Sequence, residues 1–76
     1  MEGQLKEILE DVFNVDAENI DNSFTIETVE LWDSLNHLRM VTAIEERFNV
    51  RFAMNEIGLM TSYGAIVRAV NKHVQN

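Results

Sequence analysis

The chain has no cysteine among its 76 residues. That excludes a disulfide scaffold, a thiolate metal site and a cysteine nucleophile, and it fits a cytosolic setting. No apolar run approaches the roughly 20 residues of a membrane span. The start, Met1-Glu2-Gly3-Gln4-Leu5-Lys6, lacks the basic and apolar regions of a signal peptide. A cytoplasmic protein is therefore expected. Repeats, low-complexity tracts and prolines are absent, and no segment alternates apolar and polar residues long enough to make a sheet strand. Phe48-Asn49-Val50-Arg51-Phe52 alternates briefly but has nothing to pair with. Bases are scarce in the front half. Residues 1–38 hold ten acids against Lys6 alone, a net −9, whereas residues 39–76 carry +2. Such a front repels nucleic acid and anionic lipid and favours partners with basic surfaces.

What is present is helical. A hydrophobic fraction of 46% with 25% charged residues suits one small globular domain, taken as 1–76. Leu5, Ile8, Leu9, Val12 and Phe13 share one helix face, predicting a helix over 3–14. A second is predicted over 34–48, where Leu35, Leu38, Val41 and Phe48 form a stripe widened by Met40 and Ile44. A third turn of helix fits 55–60. The last helix, over 62–74, is marked by Tyr63, Ile66, Val67, Val70 and Val74, with Ser62 or Thr61 as cap. The expected fold class is all-α: a small bundle of three main helices plus a short third one, with a long loop between helices one and two. Residues 15–33 are too long for an ordinary connection and too apolar to float free, with Ile20, Phe24, Ile26, Val29, Leu31 and Trp32. This loop is expected to pack across the bundle and deliver residue 34 to a fixed place.

Few residues offer chemistry. Both EF-hand registers in the loop fail: from Asp16, Asp21 falls where glycine is needed, and from Asp21, Trp32 falls where glutamate is needed. The histidines, His37 and His73, lie on different helices without a metal-ligand array. A Ser34–His37 nucleophilic pair would also need an oriented base and an oxyanion hole, for which so small a bundle has little room. His37 reads as a surface residue or partner contact. The methionines read as initiation and core filler. Ser34 stands where the acidic loop enters the second helix, and helix starts offer free N–H groups and a positive dipole end. Either Ser34 is the cap, or Asp33 is, which would turn the serine hydroxyl outward. The residues alone leave both open.

The order of features resembles the acyl carrier proteins and the related peptidyl and D-alanyl carriers over nearly the full chain. The matching residues are Ile20-Asp21-Asn22-Ser23-Phe24, Asp33-Ser34-Leu35 and Ala43-Ile44-Glu45-Glu46-Arg47-Phe48. The resemblance implies a non-enzymatic carrier, with 4′-phosphopantetheine moved by a phosphopantetheinyl transferase from coenzyme A onto Ser34. The arm's thiol would hold an acyl or aminoacyl group as a thioester for acyl-loading and acyl-transferring enzymes. It implies docking through the second helix, with Asp33, Glu45 and Glu46 matching the family's acids and Leu35 and Leu38 flanking the arm. Leu38, Val41, Ile44 and Phe48 would face a core able to shelter a chain. A monomer is expected. The sequence departs from the common fatty-acid pattern at Trp32, Asn36, Arg39 and Arg47, and the third helix offers only Glu56; of these, Trp32, Asn36 and Arg39 are the clues to a specialised partner. The rival reading is a small acidic adaptor without a prosthetic group.

Overall fold

In the computed structural model, which describes residues 1–74, burial selects which of the predicted helical stripes become core. Positions 75 and 76 of the expected domain lie outside the described residues. The helices are α1 (Glu2–Phe13), α2 (Ser34–Phe48), α3 (Met54–Leu59) and α4 (Tyr63–Val74), with a single 3-10 turn at Ala17–Asn19. Among the described residues there is no strand, only an isolated antiparallel bridge between Thr25 and Ser62. The fold is all-α, as expected. No helix among the described residues is long and apolar enough to cross a membrane.

Leu5, Ile8, Leu9 and Phe13 of α1 pack with Met40, Val41 and Ile44 of α2 and with Tyr63, Ile66 and Val70 of α4. Each fully buried side chain of this kind contributes roughly 1.5–3 kcal/mol of transfer free energy. Asn14 and Asn49 stop α1 and α2 in the left-handed region, at φ 56° and 55°, a conformation Asn tolerates better than most side chains. Ser62 caps α4, its hydroxyl accepting from the Ala65 amide at 3.1 Å. Tyr63 ties α4 to α1, donating to Glu2 at 2.5 Å. Burial, reinforced by that carboxylate, holds the Tyr63 hydroxyl protonated far above its usual range.

Several sequence expectations change. The α2 stripe splits: Met40, Val41 and Ile44 are buried, Phe48 is half-buried, and Leu35 and Leu38 are 60% and 56% exposed. Leu38 thus belongs to the surface, not to the core-facing set, because Met40, Val41 and Ile44 occupy the side of α2 turned to the core. Met40 and Met60 fill core space, but Met54 is exposed on α3. Val74 lies at the open end of α4 and is also exposed.

The loop over 15–33 crosses the bundle. Ile20, Phe24 and Trp32 are buried, and Phe13, Phe24 and Trp32 form a ring cluster with centroids 4.8–5.9 Å apart. The Ile26 amide donates to the Thr61 carbonyl and the Tyr63 amide to the Phe24 carbonyl, each at 2.9 Å. Asp21 closes a turn by accepting from the Ser23 amide and hydroxyl, which lowers its carboxyl below the ordinary value.

Candidate functional site

The loop ends by delivering Asp33 in extended backbone at the start of α2. Its Oδ1 accepts from the Asn36 amide at 2.8 Å, so Asp33 is the cap. Between the two sequence alternatives the structure selects this one. Ser34 is therefore the first residue of the helix, exposed, and its hydroxyl makes no hydrogen bond among the described residues. Nor do the Ser34 and Leu35 amides find a protein acceptor there, as is usual for the first turn of a helix. An outward hydroxyl beside free amides at a positive dipole end fits attachment of a phosphate ester.

The surroundings sort the candidate docking residues. Leu35, Leu38 and Arg39 are exposed, and with Thr42, Ala43 and Glu46 they line a shallow groove along α2. Arg39 makes no ion pair or hydrogen bond among the described residues. Asn36 is half-buried, and its amide group donates to the Leu31 carbonyl at 2.8 Å, closing the end of the loop. Glu45 is also committed: its Oε2 accepts from the Phe52 amide at 2.9 Å and anchors the segment after α2. Arg47 reaches back to Glu7 of α1 at 3.1 Å, an exposed pair of little energetic weight. Trp32 corrects an expectation most sharply. Although it stands two residues from Ser34, its ring lies in the core at 5% exposure and offers a partner almost no surface. It turns inward because Phe13 and Phe24 provide an apolar seat for the indole.

His37 is likewise not a free surface residue. It is half-buried, its Nδ1 accepts from the Trp32 indole N–H at 3.0 Å, and its Nε2 lies 2.7 Å from the Ile57 carbonyl. That geometry removes it from any Ser34 nucleophilic pair, since both ring nitrogens are engaged elsewhere. The sequence held one signal for this role. A buried indole N–H needs an acceptor, and His37 is the imidazole five residues on. His73 likewise turns to α3, with Nε2 2.9 Å from the Glu56 carboxylate. The Ala53 amide, first, and His73, second, hold the Glu56 carboxyl below its ordinary value.

Fold and site together define a small all-α domain that exposes an uncommitted hydroxyl at a helix start. The chain belongs to the phosphopantetheine attachment site family, whose model matches residues 3–70. The prosthetic group of that family is covalent 4′-phosphopantetheine. A search of curated proteins finds no match to the chain.

Proposed function

We propose that the chain is a carrier protein, not an enzyme, whose Ser34 hydroxyl takes 4′-phosphopantetheine from coenzyme A through a separate transferase. When bound, the arm supplies a terminal thiol that holds acyl or aminoacyl cargo as a thioester. The rest is the work of this chain's own residues. Asp33 caps α2 and so keeps the Ser34 Oγ outward and unpaired, ready to lose its proton as the phosphoester bond forms, while the phosphoanhydride bond of coenzyme A breaks and adenosine 3′,5′-bisphosphate leaves. The Ser34 and Leu35 amides would face the added phosphate, and Leu35 and Leu38 give a partner an apolar rim beside it. The observation that carries the reading is the exposed, unbonded serine at the first position of α2 in a chain of this family.

Of the expected docking residues, Leu35, Leu38, Arg39 and Glu46 keep exposed side chains with no hydrogen-bond or ion-pair partner among the described residues. Asp33, Asn36 and Glu45 would act mainly by shaping that surface, and Trp32 from beneath it. Arg39 in the middle of the α2 face favours a partner with a carboxylate opposite and disfavours one presenting an unbroken basic stripe. The chain thus serves a specialised acyl-transfer or biosynthetic pathway. Equal turnover by general fatty acid synthesis enzymes would sink that assignment.

The test is intact mass after incubation with coenzyme A, magnesium and a promiscuous phosphopantetheinyl transferase. A gain of one phosphopantetheinyl group, absent in Ser34→Ala, is the expected result. An unchanged mass with several transferases would favour the adaptor reading instead.

A further inference from the structure

We propose that His37 is a positioning residue: its neutral imidazole locks α3 to the attachment end of α2, and so sets the surface a transferase meets around Ser34. The relevance to transfer rests on Ser34 being the attachment point; the lock itself does not.

The ring bridges two groups that fix its proton. The Trp32 indole N–H can only donate, so Nδ1 accepts at 3.0 Å. The Ile57 carbonyl can only accept, so Nε2 carries the hydrogen at 2.7 Å. Only the Nε2–H neutral form satisfies both ends. The ring also stacks on the indole, with centroids 6.2 Å apart and planes at 27°. Trp32 is itself immobilised against Phe13 and Phe24, so one end of the bridge is anchored in the core.

The other end needs the anchor. None of the residues of α3 is buried; Ile57 is half-buried, while Met54 and Leu59 are 87% and 72% exposed. So short a helix has little stability of its own in water. His37 lies three residues beyond Ser34, one helical turn along α2. Its bond to Ile57 therefore joins the turn that carries the candidate attachment serine to a helix that buries no side chain fully and is tied to α4 through His73 at Glu56. Two exposed apolar sets, Leu35 with Leu38 and Met54 with Leu59, are held in a fixed relation by this bridge. Only one of the two lies on the helix that bears Ser34.

Two variants separate positioning from simple structural support. His37→Ala removes both bonds. His37→Gln keeps them, because a carboxamide oxygen can accept from the indole while its N–H donates to Ile57. The unmodified proteins are compared by amide and indole N–H NMR, and the sole tryptophan gives one indole signal. Transfer kinetics with coenzyme A and a transferase are measured alongside. In His37→Ala the indole resonance and the amides of Met54–Leu59 are expected to shift, and kcat/KM to fall about tenfold through KM, equivalent to about 1.4 kcal/mol. His37→Gln is expected to restore both.

Unshifted α3 amides in His37→Ala would overturn the lock. So would a folded His37→Gln that behaves like His37→Ala, and an unchanged KM would overturn the positioning role. If wild-type protein takes up no prosthetic group, the Ser34 assignment and the positioning role fall together, and the NMR arm still decides the lock.

Discussion

The loop over 15–33 and helix α3 reverse the usual relation between regularity and order. The loop has almost no repeating backbone, yet it buries Ile20, Phe24 and Trp32 and bonds to Thr61 and Tyr63 across the molecule. α3 has regular helical backbone and buries nothing fully. It is held by side chains reaching in from outside, His37 to the Ile57 carbonyl and His73 to Glu56. Anchorage in a small domain thus follows apolar burial and long-range bonds rather than the presence of a helix. The candidate attachment serine sits between a fixed side and a loosely seated one.

The largest expected effect comes from attacking the fixed side. Trp32→Ala empties the centre of the ring cluster and should cost about 3–5 kcal/mol in urea or thermal unfolding. That is a large part of the stability of a domain of this size, on the order of 5–15 kcal/mol at most. Met54→Ser on α3 should stay within about 0.5 kcal/mol. Comparable losses at the two sites would break the contrast, since α3 would then be supporting the core.

A smaller effect distinguishes how the loop is held at its end. Asp33→Ala removes the cap of α2 and should cost about 1 kcal/mol, with the tryptophan fluorescence unchanged. A loss as large as that of Trp32→Ala would mean that polar closure, not burial, fixes the entry to Ser34.

Much of this was legible in the residues. The apolar spacing in α1 reports its buried face directly, and the apolar content of residues 15–33 showed that the loop must pack. The division of α2 was not legible. Its stripe is broad, and periodicity defines a face without saying which part meets another helix. Leu35 and Leu38 lie exposed, while Met40 and Ile44 are buried in the core. The candidate site was located by Asp33-Ser34-Leu35, but the roles of its neighbours depended on contacts distant in sequence. His37 bonds to a carbonyl 20 residues away, and nothing local announces Ile57 as its partner. Trp32 misled for the opposite reason: nearness to Ser34 along the chain suggested a shared surface, whereas the turn that carries Trp32 seats its indole against Phe13 and Phe24 in the core.

The finest test of the two regions uses acid. Glu56 is the one acid of α3, and its carboxylate accepts from the Ala53 amide at the helix start and meets His73 at 2.9 Å. Both contacts favour the charged form, so the folded value lies below the ordinary 4.5. A depressed carboxyl stabilises the fold above its unfolded value, and that contribution is lost as pH falls through the folded one. The amides of α3 should therefore lose hydrogen-exchange protection progressively below about pH 4.5. Asp21 in the loop is depressed for a related reason, through Ser23, but its protonation releases only a local turn because Phe24 and Trp32 remain buried. Protection at the Ile26 and Tyr63 amides should outlast that at α3. Glu56→Gln should abolish the α3 step while leaving the loop unchanged. If the step persists in Glu56→Gln, or the loop opens at the same pH, the two regions share one anchor and burial does not distinguish them.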